Sequence, residues 1–299
     1  MRGPHLDHEV EMARSFDGTL LAVRAMGQGD ALPLLIANGI DANLAVWRRA
    51  LYDLAAERAI VTWDHRGLFD SKPPASDRRD AAAHAEDAIA AADHAGLKEF
   101  ALVSWSSGGP IALQVASRYP ERVVALVLVN AGFGHPAARL LRHLELVSAL
   151  PMLAGVAKHF SARLQGPFRS FVSRPTIAGI VRQSGLVGPT ADIPTVVDLL
   201  QGMASCDLRN LLEIYEEVAG ESSAGVLASV EAPTLIVAGS KDPFTPASAL
   251  AEMERSLPDA RLEVYEKATH YLPLEHPARL REDLKEFVDS RKGLGGPPV

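Results

Sequence analysis

Three residues of this 299-residue chain have the types and the order that nucleophilic acyl transfer requires: a serine, an aspartate and a histidine. Ser106 lies in LVSWSSGGP, directly after a run of apolar residues. A serine hydroxyl is a poor nucleophile near neutral pH, so a histidine must accept its proton and a carboxylate must orient that histidine. Asp242 in SKDPFTP and His270 in ATHYLP follow later apolar runs. We therefore predict Ser106 as the nucleophile, with His270 as its base and Asp242 as the acid.

The choice of Ser106 among neighbouring serines rests on backbone sterics. A nucleophile at a sharp strand-to-helix turn needs small residues two places before and two places after it, because strand and helix approach closely there. Ser106 has Ser104 and Gly108 in those places, whereas neither neighbouring serine has small residues at both. The pattern is S-x-S-x-G rather than the usual G-x-S-x-G. An unreactive serine-rich turn is the alternative.

Each partner of the serine also has a simpler interpretation. Asp242 before Pro243 could be a turn former, since Asp readily bonds its own backbone. His270 could be a packed histidine beside Tyr271. An acid after the preceding strand has no support, because LVNAGFGHP offers Asn130 and no carboxylate.

The oxyanion that forms during acyl transfer needs two preorganised donors. The backbone N–H of Ser107, at the start of the helix after the nucleophile, is one candidate. The second is the N–H of Ile40, which follows a flexible Asn38-Gly39 turn in ANGIDAN. The alternative is that this segment only joins a strand to a helix.

The remaining histidines and the single cysteine are interpreted as structural or solvated. Nothing near Cys206 in the sequence provides the base that a reactive thiol needs. The histidines concerned are His84, His94, His159 and His276.

The surrounding segments predict an α/β fold with a mostly parallel, doubly wound sheet and helices on both faces. EVEMARSF and TLLAVRA flank Asp17-Gly18, which suits a tight antiparallel hairpin. Short apolar runs bounded by turn signals are typical of buried parallel strands. These runs are LPLLIA, AIVTW, FALVSW, VVALVLV, PTLIVA and RLEVY. Helical segments such as LAVWRRALYDLAAE and ASALAEMERSL lie between them.

One interval interrupts the alternation of strands and helices. Residues 135–229 are helical in pattern and rich in leucine, without a clear strand. We predict that they form an inserted helical cap, and that residues 1–134 and 230–299 form the core. The alternative is a set of extra helices packed on the outside of the sheet.

Composition narrows the possible partners. The formal net charge is −7 and no basic stretch stands out, so no nucleic-acid partner is expected. No metal-ligand spacing or phosphate-cradling glycine loop is present, so we expect neither a metal nor a cofactor. No signal peptide or membrane-length apolar run is present, which predicts a cytoplasmic protein without a membrane span. The Gly- and Pro-rich end RKGLGGPPV is expected to be frayed.

Together these motifs resemble the α/β-hydrolase superfamily, in its cap-bearing branch of small esterases. The resemblance runs through the NGI loop, DHRGLFDS, SWSSGG, SKDPFTP and ATHYLP. The segment DHRGLFDS is similar to the family's D-x-R-G-x-G-x-S, with Phe69 in place of the second glycine. Its matching residues are expected to be structural: Asp64, Arg66, Gly67 and Ser71.

The resemblance implies a serine hydrolase, and the leucine-rich cap favours a small to medium hydrophobic ester as substrate. Aromatic and Met side chains of the cap could line the pocket, namely Phe160, Phe168, Phe171 and Met203. The same triad also serves thioesters, lactones, amides and carbon–carbon cleavage, and the same fold can act as a ligand-binding receptor. Haloalkane or epoxide opening is disfavoured, because relatives with those activities carry aspartate in the place of Ser106.

Overall fold

The computed structural model describes residues 9–40, 42–132, 159–183, 187–220 and 223–291. The C-terminal tail from 292 and the first part of the predicted cap, up to residue 158, lie outside these ranges.

The described residues form one sheet of eight strands in the order β1-β2-β4-β3-β5-β6-β7-β8. Strands β1 and β2 form the predicted hairpin, and β2 pairs antiparallel with β4, whereas all other neighbours are parallel. The doubly wound, mostly parallel α/β fold is thus confirmed. The strands are β1 (Glu11–Arg14), β2 (Leu20–Met26), β3 (Leu34–Ala37), β4 (Ile60–Trp63), β5 (Phe100–Trp105), β6 (Val123–Val129), β7 (Thr234–Gly239) and β8 (Ala260–Tyr265).

Helices connect most of the parallel strands. They are α1 (Arg48–Leu51), α2 (Ala81–His94), α3 (Gly108–Arg118), α4 (Ser161–Val172), α5 (Ile177–Gln183), α6 (Ile193–Ser205), α7 (Leu208–Gly220), α8 (Ala247–Ser256), α9 (Leu272–Glu275) and α10 (Pro277–Asp289). The described residues also form 3₁₀ segments at Leu44–Val46, Tyr52–Ala56 and Ser223–Ser229.

The segment LAVWRRALYDLAAE is helical, as predicted, but it is divided, because α1 is a single turn between two 3₁₀ segments. Trp47, in the middle of this stretch, is fully buried, and its indole N–H donates to Asn38 at 2.9 Å. Packing of this side chain overrides the helix propensity of the neighbouring residues.

Two apolar layers cover the two faces of the sheet. Leu34 and Ile36 of β3 pack into one layer with Trp47, and the alternate residues Leu35 and Ala37 pack into the other. Helix α10 lies in the first layer, whereas α2, α3 and α8 lie in the second. This alternation explains why the strands are apolar on both faces.

Helices α4–α7 all lie between β6 and β7, within the predicted cap. Their segment contacts loops that follow other strands. The Asn210 amide donates to the carbonyl of Gly67 after β4 at 3.1 Å, and the Gly188 N–H donates to Glu275 after β8 at 2.7 Å. The described part of this segment therefore packs against loops at the carboxyl ends of the parallel strands.

Candidate active site

Ser106 occupies a strained turn between β5 and α3. Its φ is +56°, in the left-handed region that a non-glycine residue rarely adopts. Its N–H donates to the Val129 carbonyl at 3.2 Å, which ties the turn to the end of β6. A Cβ on Gly108 would lie 2.3 Å from the Ala37 carbonyl oxygen, so the start of α3 tolerates only glycine there. The turn thus holds the half-buried Ser106 hydroxyl at the carboxyl edge of the sheet.

Ser104, in the place of the family's first glycine, is fully buried in β5 beside Ala37. Its hydroxyl has no hydrogen-bond partner among the described residues. A buried hydroxyl without a partner costs about 1–3 kcal/mol. The departure from the glycine pattern therefore fits sterically but costs stability.

The three residues selected from the sequence lie within hydrogen-bond distance of one another. His270 Nε2 is 2.8 Å from Ser106 Oγ, and His270 Nδ1 is 2.8 Å from Asp242 Oδ2. An ionised carboxylate only accepts hydrogen bonds, so the Nδ1 hydrogen points to Asp242 and leaves Nε2 to accept the Ser106 hydroxyl. The arrangement suits proton transfer from serine to histidine.

The Asp242 carboxylate is buried but well partnered. Its Oδ1 accepts the N–H of Phe244 at 2.8 Å and of Thr245 at 3.1 Å, and its Oδ2 also accepts the Thr245 hydroxyl. Burial by itself raises the pKa of Asp242, but attraction to His270 and these hydrogen bonds outweigh burial and lower the pKa below its usual value. Asp242 therefore stays ionised and fixes the orientation of His270.

Asn130 has no carboxylate and was not predicted to take part in the site. In the structure it bonds the loops that carry Asp242 and His270. It follows β6 with a φ of +43°, a conformation that asparagine tolerates better than most residues. Its amide donates to the carbonyls of Thr269 and His270 at 2.9 and 3.1 Å, and its Oδ1 accepts the Gly239 N–H at 2.7 Å. In the sequence, the only indication of this role was an asparagine at the end of a predicted strand.

Aromatic rings enclose the imidazole of His270. The ring centroids of Trp105 and Phe244 lie 5.2 and 5.0 Å from it. The Trp105 indole N–H also donates to the His270 carbonyl at 3.0 Å. His270 is only 8% exposed, so its hydrogen bonds operate with little competition from solvent.

The predicted oxyanion donors lie side by side, and one of them is already engaged. The Ile40 N–H donates to the Ser107 side-chain oxygen at 2.9 Å. Both residues are buried, at 0% and 4% exposure. The Ser107 hydroxyl thus occupies the direction in which the Ile40 amide would donate to an oxyanion.

The Asn38 turn before Ile40 is held by several side-chain hydrogen bonds. The Asn38 side chain donates to Thr62 at 2.8 Å and accepts from Trp47. His65 Nε2 donates to the Asn38 carbonyl at 2.9 Å. Side-chain bonds from β4 and the following loop therefore fix the backbone that leads to Ile40.

The residues of DHRGLFDS have structural roles, as predicted. Arg66 forms two bonds to the buried Asp87 carboxylate, at 2.7 and 2.6 Å, and Ser71 donates to the Asp64 carbonyl at 2.6 Å. Phe69, in the place of the family's second glycine, has a φ of +50°. The chain keeps the left-handed turn there without the glycine.

The side chains proposed to line a pocket differ in exposure. Phe160 and Phe171 are 39% and 45% exposed, and Met203 packs against the core layer that contains α2 and α3. Cys206 is buried and burial raises the pKa of its thiol, in keeping with an unreactive cysteine.

Within the described ranges, no helix is long and apolar enough to cross a membrane. In the same residues, no cluster of histidine, cysteine, aspartate and glutamate side chains could hold a metal ion.

A mostly parallel eight-stranded sheet with a strained serine turn between a strand and a helix is typical of α/β hydrolases. The chain belongs to the alpha/beta hydrolase fold family, whose model matches residues 33–277.

Several of the relatives found by sequence carry hydrolase names. A pimeloyl-[acyl-carrier protein] methyl ester esterase of Neisseria meningitidis is 29% identical over 63% of this chain and 69% of its own length. A putative carbamate hydrolase of Azorhizobium caulinodans is 24% identical over 87% of this chain and 92% of its own. A thermophilic esterase from Thermogutta terrifontis superposes with a TM-score of 0.71 at 21% identity, covering 95% of this chain and 99% of that one. These matches support a hydrolase.

Proposed function

We propose that this protein is a serine hydrolase that cleaves ester-like bonds of small to medium hydrophobic substrates through an acyl-serine intermediate. The observation that carries the proposal is the hydrogen-bonded series from Ser106 Oγ to His270 Nε2 and from His270 Nδ1 to Asp242, with 2.8 Å at each step. The strained φ of Ser106 adds support, because such backbone strain is concentrated at functional sites.

In the proposed reaction, Ser106 Oγ attacks the carbonyl carbon of the ester while its proton moves to His270 Nε2. The ionised Asp242 stabilises the imidazolium that forms. The tetrahedral intermediate collapses as the bond to the alcohol oxygen breaks, and His270 returns its proton to the departing alcohol. Water then attacks the acyl-serine by the same steps, with His270 accepting the proton of water and returning it to Ser106.

The backbone N–H groups of Ser107 and Ile40 are the proposed donors to the oxyanion. Because the Ile40 N–H donates to the Ser107 hydroxyl, that hydroxyl must release the amide when an oxyanion forms. Rotation of the Ser107 side chain is sufficient for this change. Until then the hydroxyl satisfies a buried amide that would otherwise lack a partner.

We also propose that residues 135–229 form a cap over the site, with residues 1–134 and 230–299 as the core. Support comes from Asn210 of α7 and from Gly188 before α6, which belong to this segment and bond loops at the carboxyl ends of the strands. Ligands in open α/β sheets bind at that edge. The cap would then supply the apolar surface for a hydrophobic acyl or alcohol group.

An ester is preferred over other acyl compounds because of the relative named as a methyl ester esterase. The relative named as a putative carbamate hydrolase keeps amide-like substrates as the second candidate. The same residues could also cleave thioesters, lactones and carbon–carbon bonds. The assay therefore includes a thioester and a lactone. A receptor with little turnover is disfavoured by the complete hydrogen-bonded series at Ser106.

The test combines labelling with a substrate panel. A fluorophosphonate probe should label the wild type and not Ser106→Ala, whose turnover should fall by about 10⁶-fold while folding persists. p-Nitrophenyl esters of increasing acyl length, with a thioester, a lactone and an anilide alongside, would define the bond and the pocket size. Equal labelling of both proteins would overturn the assignment of Ser106.

Activity should also survive dialysis against EDTA without an added cofactor, because the proposed steps use side chains and backbone amides alone. Loss of activity that a metal ion restored would contradict this mechanism.

A further inference from the structure

A buried carboxylate lies directly behind the proposed base, outside the Ser106–His270–Asp242 series. Glu275 ends α9, is 6% exposed, and follows the buried apolar residues of that short helix. No lysine, arginine or histidine forms an ion pair with it in the described ranges. Three hydrogen-bond donors surround it instead.

Two of these donors belong to the residue that precedes the base. The Thr269 N–H donates to Glu275 Oε2 at 2.8 Å, and the Thr269 hydroxyl donates to Oε1. On the other side of this loop, the carbonyls of Thr269 and His270 accept from Asn130 and Trp105. The backbone that carries His270 is therefore held between Glu275 and these two side chains.

The third donor comes from the segment between β6 and β7. The Gly188 N–H donates to Glu275 Oε1 at 2.7 Å, across 87 residues of sequence. A Cβ on Gly188 would lie only 2.9 Å from the carboxylate, so no other residue fits without moving it. One carboxylate thus bonds both the proposed cap segment and the loop of the proposed base.

We propose that Glu275 is a positioning residue that couples the placement of the segment around Gly188 to the alignment of His270. This inference rests on the proposed function of His270. The physical reason is that the carboxylate accepts from both sides at once, so a displacement of the Gly188 backbone pulls on the Thr269 N–H. A shift of tenths of an ångström in His270 lengthens its bonds to Ser106 and Asp242.

Glu275→Gln is the direct test, because glutamine keeps the size of the side chain but replaces one acceptor oxygen by an NH₂ donor. That NH₂ group must face an N–H of Thr269 or of Gly188, so one anchor is lost. We expect kcat on a p-nitrophenyl ester to fall about 10- to 100-fold, since misplacement of a catalytic group by about 1 Å costs up to about 10²-fold. KM should change less than about threefold. Glu275→Asp, which keeps the charge on a shorter arm, should recover part of the loss.

Gly188→Ala tests the coupling from the other side without touching the base or its loop. The new methyl group should displace the carboxylate and lower kcat several-fold. Gly179→Ala in α5 is the matched control, because a Cβ there has no atom within 4 Å and kcat should not change. In a Glu275→Ala background, which vacates the space, Gly188→Ala should lower kcat by less than about twofold.

A second measurement does not depend on turnover. The Nδ1 proton of His270, assigned as the downfield ¹H resonance that is absent in His270→Ala, should shift in Glu275→Gln and Gly188→Ala but not in Gly179→Ala. Equal effects of Gly188→Ala in both backgrounds would overturn the coupling. So would thermal destabilisation of Glu275→Gln with unchanged kcat and an unchanged resonance. If the wild type lacks hydrolase activity, the proposed function fails, whereas the resonance still decides the role of Glu275.

Discussion

Two buried histidines beneath the site should make the fold sensitive to mild acid. His84 on α2 and His65 after β4 are 0% and 1% exposed, and their rings meet edge to face with centroids 5.0 Å apart. Neither nitrogen of His84 has a hydrogen-bond partner among the described residues. Burial, assisted by the positive charge of Arg66, lowers the pKa of His65 to about 4. Burial likewise lowers the pKa of His84 well below its usual value.

The direction of the pH dependence of stability follows from the lowered pKa of these histidines in the folded state. Above about pH 6.5, the pKa of histidine in the unfolded chain, neither state is protonated and the stability is fully present. As pH falls below 6.5, the unfolded chain binds protons that the folded state does not bind. Each such histidine then lowers the free energy of unfolding by about 1.4 kcal/mol per pH unit. At pH 5 His65, with its pKa of about 4, therefore removes about 2 kcal/mol of a total of roughly 5–15 kcal/mol, and His84 adds a loss of the same sign.

His84→Phe isolates one of the two contributions, because phenylalanine keeps a ring against His65 and cannot be protonated. Urea unfolding at pH 7 and pH 5 gives the free energy of unfolding for both proteins. The loss between these pH values should be smaller in the variant than in the wild type, because the variant lacks the His84 contribution. Carboxylates that titrate over this range cancel, since both proteins contain them. His84→Leu serves if the larger ring disrupts packing.

Equal losses in wild type and variant, within about 0.5 kcal/mol, would refute the reasoning. Such a result would mean that His84 is protonated in the folded state at pH 5.

Three further substitutions test the site. Asp242→Asn should lower kcat/KM about 10⁴-fold near neutral pH, because an amide favours the wrong histidine tautomer; a variant within threefold of wild type would contradict the assignment of the acid. Ser107→Ala should leave kcat unchanged or higher, because it frees the Ile40 N–H for the oxyanion, whereas a tenfold loss would mean that the hydroxyl itself is the donor. Ser104→Ala should raise the free energy of unfolding by about 1 kcal/mol, because it removes an unpartnered buried hydroxyl; lower stability in thermal unfolding would contradict that description.

Much of the core could be predicted from local patterns. Short apolar runs between turn signals correspond to β5 and β6 residue for residue. Two-faced burial in a parallel sheet leaves a nearly continuous apolar run, which is readable without knowledge of the neighbours. The division of residues 44–57 into short helical turns could not be predicted, because it depends on the burial of Trp47 and its bond to Asn38 rather than on local helix propensity.

The residues proposed for chemistry could also be chosen from the sequence, because Ser106, Asp242 and His270 each follow a predicted strand. The carboxyl ends of parallel strands meet at one edge of the sheet, so residues far apart in sequence come together there. Chain order and residue type were enough to nominate them. Their assigned roles stay predictions until the variants are measured.

Only the tertiary structure decided how these residues are held. Asn130 bonds the loop of His270 across 139 residues, Glu275 reaches Gly188 across 87, and Ser107 accepts the Ile40 N–H across 67. Such bonds depend on placement to within a few tenths of an ångström by packing from several elements, and they leave no period or spacing in the chain. The sequence by itself therefore determined the type of fold and the candidate reacting groups, whereas the surrounding packing decided the hydrogen bonds that orient them.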